Sequence, residues 1–379
     1  MPSYEIAVIP GDGIGPEVVC EALKALNALA PRFGFTIDPR SYPFGAEYYL
    51  KTGEVLPKGA FDDLGAARAL LLGAVGDPRV PPGPLEQELL LALRFRFDQY
   101  LNLRPSRTWP NAPVPVALPE GAEIDILVVR ENTEDFYMNL GGSGRAPGLR
   151  AELPFERGLY KGEARIEVDL DPPTEAAFTL GILTSPATLR VADRAFRLAS
   201  ERGERVLYSA TKSNALPHLY GFWDRTVAEA AKAHPGVRLR NINVDNLAYQ
   251  LPRSPQLYGV VLCPNLFGDI ISDLAAGLSG GLGLAASGNI GDGLSMFEPV
   301  HGSAPDIAGT GKANPLAAIL SVGLMLTHLG EKDAAAALEK AVETYLEKSP
   351  RVSLPYELEG GAPCPKVGDL VVQAIEGRL

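Results

Sequence analysis

The sequence predicts an α/β protein of two domains, built on a sheet that contains parallel strands. Three observations carry that expectation. Short apolar runs alternate with stretches of helical periodicity, the pattern of strand–helix–strand units. The runs end on glycine, proline or a polar residue, as buried strands do where they meet a loop. The chain has 379 residues, 46% of them apolar, which is more than one hydrophobic core usually holds.

Taken in order, Tyr4–Ile9 is a strand that stops at Pro10-Gly11-Asp12-Gly13, and Pro16-Glu17 opens an amphipathic helix to about Leu29. Ala67–Gly73 is a second strand. Leu85–Tyr100 has helical spacing, Leu103-Arg104-Pro105 follows, and Ile124–Val129 is a strand ending on Arg130. From Met138 to about Pro173 the chain is rich in Gly, Arg and Glu without a helical period, and reads as hairpins and loops. A helix follows near Ser185–Arg202, then strands at Arg205–Ser209, Val237–Val244 and Tyr258–Cys263. Ala275–Asn289 holds five glycines and no charge, which predicts tight packing or a loop around a ligand. Helices at Pro315–Leu329 and Asp333–Glu347 close the fold, with no internal repeat.

Composition narrows the function. A net charge of −11 argues against a nucleic-acid surface, which needs clustered Lys and Arg. An anionic substrate would therefore meet a local basic pocket on an acidic protein. The three cysteines, Cys20, Cys263 and Cys364, have no metal-ligand spacing and read as thiols of a reducing compartment. The first residues lack a basic flank and an apolar core of signal length, and every long apolar stretch is broken by Gly, Pro or charge. The expectation is a cytoplasmic protein without a membrane span.

The segment Asn265-Leu-Phe-Gly-Asp269-Ile-Ile-Ser-Asp273 follows a strand and begins a helix. Asp269 and Asp273 are four apart, so both carboxylates lie on one helical face. Such a pair is either a solvated acidic face or the ligand set of a cation. The large apolar neighbours Leu266, Phe267, Ile270 and Ile271 favour the cation, and all-oxygen ligands favour Mg²⁺ or Mn²⁺ over zinc. Asp245 ends another strand and could complete the set. Arg94, Arg104 and Arg130 each stand at an element end. Singly they read as surface residues; as a set they would suit a carboxylate clamp. Tyr137 and Lys212 sit just beyond predicted strands and by themselves read as ordinary residues, though a Lys close to a metal and to arginines would have its pKa lowered and be a usable base. Gly11-Asp-Gly13-Ile-Gly15 has the wrong spacing for a dinucleotide fingerprint and reads as a tight turn, so a classical Rossmann fold is not expected. In His301-Gly-Ser-Ala-Pro-Asp306-Ile-Ala-Gly309, Asp306 could accept hydrogen bonds from a ribose diol and would repel a 2′-phosphate.

Together the segments IPGDGIGPEV, LRP around Arg104, VRENTEDFY, TKSN, VDN, NLFGDIISD and FEPVHGSAPDIAG resemble the β-decarboxylating dehydrogenase family of isopropylmalate, isocitrate, homoisocitrate and tartrate/(R)-malate dehydrogenases. They run from Ile9 to Gly309. The resemblance implies an isocitrate/isopropylmalate dehydrogenase-like two-domain fold. Residues 1–102 plus 255–379 would form a cofactor-binding domain and 103–254 a substrate and dimerisation domain. It implies NAD and Mg²⁺ or Mn²⁺ as cofactors, a small 2-hydroxy acid as substrate, and a homodimer, or a tetramer, with active sites shared between subunits. Arg94, Arg104 and Arg130 resemble the clamp on the malate moiety, and Asp245, Asp269 and Asp273 the metal ligands, Asp245 coming from the partner. Lys212, also from the partner, resembles the general base and Tyr137 the proton donor to the enol. Asp306 resembles the adenosine-ribose acceptor, with His301, Gly302 and Asn314 lining the same pocket.

The substrate is left open. Leu90 and Leu91 stand where isocitrate enzymes of the family present small polar groups, and favour a small or aliphatic substituent. The segments after Tyr137 and around Lys212 resemble the tartrate/(R)-malate branch, while Ser272–Leu278 and Ser287–Asp292 resemble the homoisocitrate branch. Isocitrate is a further alternative, as is a non-catalytic regulatory subunit, which loss of the acids, Lys or Tyr would signal; none is lost. A metal-dependent dehydrogenase of a phosphorylated hydroxy-threonine is a more distant reading that would call for histidine ligands. Tyr137 and Lys212 lie 75 positions apart, more than in most relatives. The extra length predicts an enlarged arm at about 138–184, where relatives clasp a partner.

Overall fold

The first strand, β1 (Ser3–Ile9), explains the continuous apolar run from which it was read. In the computed structural model, which describes residues 1–379, Ile6 and Val8 join one apolar cluster while Ala7 and Ile9 join another. Alternate side chains of a strand point to opposite faces, so a sheet covered on both sides needs apolar residues at every position.

From β1 the chain passes through α1 (Gly15–Phe33), β2 (Thr36–Ser41), α2 (Ala46–Thr52), α3 (Ala60–Gly65) and β3 (Ala69–Leu72). A π-helical turn at Glu86–Leu91 leads into α4 (Ala92–Arg96), β4 (Leu101–Arg107) and β5 (Asp125–Glu131). Next come β6 (Gly141–Ala146), β7 (Leu149–Arg157), β8 (Tyr160–Val168) and β9 (Thr174–Thr179). They are followed by α5 (Ser185–Glu201), β10 (Val206–Thr211), α6 (Pro217–Ala231), β11 (Arg238–Asn243) and α7 (Val244–Gln250). Strand β12 (Val260–Cys263) feeds α8 (Asn265–Leu278), and β13 (Ala286–Ile290) and β14 (Met296–Pro299) return to the sheet. Helices α9 (Leu316–Leu329), α10 (Lys332–Lys348) and α11 (Cys364–Ile375) end the chain.

Ten strands form one sheet in the order β11-β10-β12-β5-β4-β13-β14-β3-β1-β2. Its flanks are parallel, whereas β5-β4, β4-β13 and β13-β14 at its centre pair antiparallel. Helices α1, α9, α10 and α11 cover one face beside β1, and the cluster under α2, α3 and the π-helical turn covers the other. A third cluster joins β5, β10 and β12 to α5, α6 and α8. Arg130 lies opposite Cys263 in the β5–β12 register, so β5 ends where α8 begins. Ligand sites of open α/β sheets form at such carboxyl ends.

Three local expectations shift. The helix expected to reach Tyr100 ends at Arg96, because Asp98 takes a φ of 45° and turns the chain into β4. The strand expected to reach Val244 stops at Asn243, and Val244 opens α7. Ala275–Asn289, expected to pack tightly or to loop around a ligand, is tightly packed. The segment finishes α8, turns at Gly280 and Gly281, both at positive φ, and enters the sheet as β13.

The expected hairpins form outside the main sheet. Strand β6 pairs with β9 and β7 with β8, all antiparallel. Along β7 and β8 the inner positions Ala151, Leu153, Phe155, Ala164 and Ile166 are half-buried, while Arg150, Glu152, Glu163, Arg165 and Glu167 are exposed. That alternation is what a one-sided hairpin requires. No helix is long and apolar enough to cross a membrane. Cys20 is exposed, Cys263 and Cys364 are buried, and none is paired.

Candidate active site

Arg130 is the most deeply buried cation in the molecule. Its side chain is 1% exposed, at the end of β5 beneath the first turn of α8. Its Nε donates to the backbone oxygen and the Oδ1 of Asn265, at 2.9 and 3.0 Å, and its Nη1 donates to Asp269 Oδ1 at 2.6 Å. Arg104, from the neighbouring strand β4, donates through Nη1 to Ser272 Oγ at 2.8 Å and Asp273 Oδ1 at 3.2 Å, with Asp269 Oδ1 at 3.3 Å. Arg94, on α4, meets Glu298 of β14 at 3.3 Å. Tyr137 donates its hydroxyl to Asp269 Oδ2, and its ring lies 4.9 Å from the Arg130 guanidinium carbon.

The charges set one another. Burial pushes the Arg130 guanidinium down to about 10, helped by Arg104 and opposed by Asp269. Burial alone would raise Asp269, but Arg130 and Arg104, with the Tyr137 hydroxyl, hold it below the usual carboxylate value. Asp273 is raised by burial, which Arg104 only partly offsets. Tyr137 is raised by burial and by its bond to Asp269, so its hydroxyl stays protonated at neutral pH. Arg94 Nε, Arg104 Nε and Arg130 Nη2 are buried without a hydrogen-bond partner. Buried donors are rarely left so, and this donor set suits a carboxylate.

Lys212 and Asp245 lie elsewhere. Lys212, just past β10, donates to Asp245 Oδ1 on α7 at 2.6 Å, and Asp245 is pulled below its usual value by that bond. Neither bonds to Asp269 or Asp273 in the same chain, and no group of three metal-holding side chains forms within it. The single chain therefore unites Arg104, Arg130, Tyr137, Asp269 and Asp273, and holds Lys212 with Asp245 as a separate exposed pair.

The remaining expected residues lie on the loop between β14 and α9. His301 Nδ1 meets the Gly302 oxygen at 3.1 Å, and burial pushes this imidazole down. A Cβ on Gly302 would meet nothing within 4 Å, so that backbone is open to a ligand. Asp306 is exposed. Asn314 Nδ2 donates to Glu357 Oε2 at 2.9 Å, and the other oxygen of Glu357 takes the Gly283 N–H at 3.0 Å. The turn after β1 supports this loop, since Ile14 N–H donates to the Ser303 oxygen at 2.8 Å. Asp12 of that turn also takes the N–H groups of Ala46 and Gly76, at 2.8 and 2.9 Å.

Several positioning residues were not read from sequence. Asp135, at a φ of 62°, takes the Leu266 N–H at 3.0 Å and the Tyr220 hydroxyl at 3.2 Å, tying the Tyr137 segment to the start of α8. Ser272, Glu298 and Glu357 hold an arginine or a loop, and no local pattern marks them. Gly268 had a visible signal, a glycine inside a helix. A Cβ there would stand 2.5 Å from Arg130 Cγ, so glycine is what lets α8 close over that side chain.

The chain matches the family described as isocitrate/isopropylmalate dehydrogenase over residues 5–371. It is 47% identical to a 3-isopropylmalate dehydrogenase of Thermobifida fusca over 349 residues, covering 91% of this chain and 92% of that one. With the protein of the same name from Streptomyces griseus it shares 43% over 347 residues, again 91% and 92%. Among solved structures it resembles isocitrate dehydrogenase from Methylococcus capsulatus, with a TM-score of 0.83 and 31% identity over 99% of this chain and 100% of that one. A β-decarboxylating dehydrogenase from Thermococcus kodakarensis aligns with a TM-score of 0.74 and 33% identity, over 99% and 96%.

Gly268→Ala tests the close approach of α8 to Arg130. Overpacking there should cost about 1–3 kcal/mol, seen as a lower urea midpoint at unchanged slope. A midpoint equal to or above that of the parent would show that glycine is not needed.

Proposed function

Because the chain belongs to the isocitrate/isopropylmalate dehydrogenase family, we propose that it oxidises and decarboxylates 3-isopropylmalate, or a malate with a comparable apolar substituent, using NAD and Mg²⁺ or Mn²⁺. The observation that carries this reading is the arginine cluster. Arg104 and Arg130 hold two carboxylates one helical turn apart, Tyr137 shares Asp269, Arg94 is held by Glu298, and all three guanidinium groups keep an unpartnered buried N–H. The relatives at 43–47% identity bear the name 3-isopropylmalate dehydrogenase. Leu90 and Leu91, half-buried on the π-helical turn just before Arg94, supply an apolar wall for the substituent. π-Helical turns recur at functional sites.

The residues fit a divalent cation of the oxygen-loving kind. Asp269 and Asp273 offer carboxylate oxygens, with Asp273 about half exposed and free to turn, and Asp245 of a second copy adds a third. Such an ion, when bound, supplies positive charge beside the alkoxide and enolate oxygen that develop during the reaction. NAD, held along His301, Gly302, Asp306 and Asn314, supplies the hydride acceptor.

The chain's own groups do the rest. Arg94, Arg104 and Arg130 take the two carboxylates of the malate moiety, and in doing so release Asp269 and Asp273 from their ion pairs. Lys212, carried in by the second copy beside Asp245, accepts the proton of the 2-hydroxyl. After CO₂ has left, Tyr137 donates its proton to the carbon that lost it. Its raised pKa keeps that proton available at neutral pH. The exposed Lys212–Asp245 pair supports a homodimer with shared sites, because neither residue serves its own chain's Asp269. The separate apolar clusters favour two domains, a cofactor domain of residues 1–102 and 255–379 and a substrate domain of 103–254, with β12 and α8 packed into the substrate-side cluster beside β5 and β10.

NADH formation with Mn²⁺ should be fastest on 3-isopropylmalate among a panel with (R)-malate, tartrate, isocitrate and homoisocitrate. A margin of about 10–200-fold in kcat/KM is expected for each methylene the apolar wall recognises. A preference for tartrate or isocitrate would overturn the substrate reading. Asp269→Asn should lower kcat by about 10³-fold, and near-normal turnover in that variant would sink the metal assignment.

A further inference from the structure

Strand β7 of the hairpin β7–β8 packs against β6, and it also meets α4. Arg157, the last residue of β7, is 8% exposed although its neighbours Glu156 and Gly158 belong to a surface hairpin. Its Nε donates to the Thr133 oxygen at 2.8 Å and its Nη2 to the Met138 oxygen at 3.3 Å. These carbonyls flank Tyr137 on both sides. The same guanidinium lies 3.7 Å over the ring of Phe95, the residue after Arg94. One side chain thus touches both the segment that carries the tyrosine and the helix that carries an arginine of the clamp.

Two more contacts seat the turn. Tyr160, the first residue of β8, donates its hydroxyl to Glu134 Oε1 at 2.6 Å, and Thr184 donates to the same carboxylate from its hydroxyl and its N–H. A Cβ on Gly158 would stand 2.4 Å from the Asp98 carboxylate, which Arg190 holds at 2.5 and 2.7 Å. The segment so gripped is anomalous by itself. Glu131, Asn132, Thr133, Glu134 and Asp135 are all buried, and Asp135 sits at positive φ. Its two buried glutamates have no ion pair, and Arg157 and Arg190 are the cations near them. A buried loop with a positive-φ residue, whose acids are held by hydrogen bonds and not by ion pairs, keeps one geometry only when its surroundings impose it.

We propose that the hairpin Leu149–Val168 is a positioning device for Tyr137, with Arg157 as the clamp that fixes Thr133 and Met138 and couples them to α4. This rests on the reading of Tyr137 as proton donor. Arg157 never reaches the substrate; it sets where the phenol stands relative to Asp269 and the clamp. Arg157→Met keeps an unbranched apolar stem and removes the guanidinium, with its bonds to the Thr133, Met138 and Glu156 carbonyls and its place over Phe95.

The test uses the full-length enzyme with 3-isopropylmalate, NAD and MnCl₂, and hydrogen exchange of the ligand-free protein. In Arg157→Met, kcat should fall by about 10²-fold, the usual consequence of misplacing a reacting group by about 1 Å, while KM for NAD stays unchanged. Amides of 132–138 should exchange faster, with those of β1 and α1 as slow as in the parent. Unchanged kcat and unchanged exchange at 132–138 would overturn the clamp, as would acceleration spread evenly over the protein. Tyr160→Phe, which removes one hydroxyl, carries the same exchange test if the first variant does not fold. Tyr137→Phe separates the two readings. Full turnover there overturns the role of Tyr137 itself, whereas low turnover there with parental behaviour in Arg157→Met overturns the clamp alone.

Discussion

A guanidinium buried at the end of a central strand needs a counter-charge, and much of the site is arranged around that need. Removing an ion from water costs several kcal/mol, and leaving it without a partner costs about 3–5 kcal/mol more than a made pair. Arg130 meets the requirement through Asn265, which opens α8, and through Asp269, one turn later on the same helix. The helix can lie that close because Gly268 has no side chain. The carboxylate can face the arginine because a four-residue step returns to the same side of the helix. Arg104 and Asp273 repeat the arrangement one turn on.

On the proposed reading, the same interaction makes the site reversible. Asp269 and Asp273 serve Arg104 and Arg130 while no other anion is present. A substrate with two carboxylates can take over the guanidinium groups and leave the acids to a cation. Tyr137 shares Asp269 with Arg130, so its hydroxyl stands at the point where charge is exchanged. The surrounding turns, held by Asp12, Asp135, Glu298 and Glu357, keep these few atoms in register across elements far apart in sequence.

Much of this was legible in the residues and some was not. Continuous apolar runs bounded by Gly and Pro marked β1, β5 and β12, because buried parallel strands demand them. The strands β4, β13 and β14 were missed as strands, since their residues serve the site and the turns as much as the sheet. The i, i+4 spacing of Asp269 and Asp273 could be read from the helix period alone. The link from Arg130 to that helix could not, because it joins residues 139 positions apart. Asn314 and Glu357 are likewise related only by the fold. In the 138–184 stretch the hairpins were legible from the Gly- and Glu-rich composition without a helical period, but the carbonyls of Thr133 and Met138 that Arg157 meets are brought to it only by the fold.

The account turns on the exchange of partners between arginines and aspartates, and that exchange is a linkage between two ligands. The most direct measurement is calorimetric titration of Mn²⁺ into the full-length protein, with and without saturating 3-isopropylmalate and without NAD. Substrate should tighten Mn²⁺ binding by about tenfold or more, and Mn²⁺ should tighten substrate binding by the same factor. Equal Mn²⁺ affinity in the two titrations would mean that the arginines do not hold the acids in check, and would contradict the account.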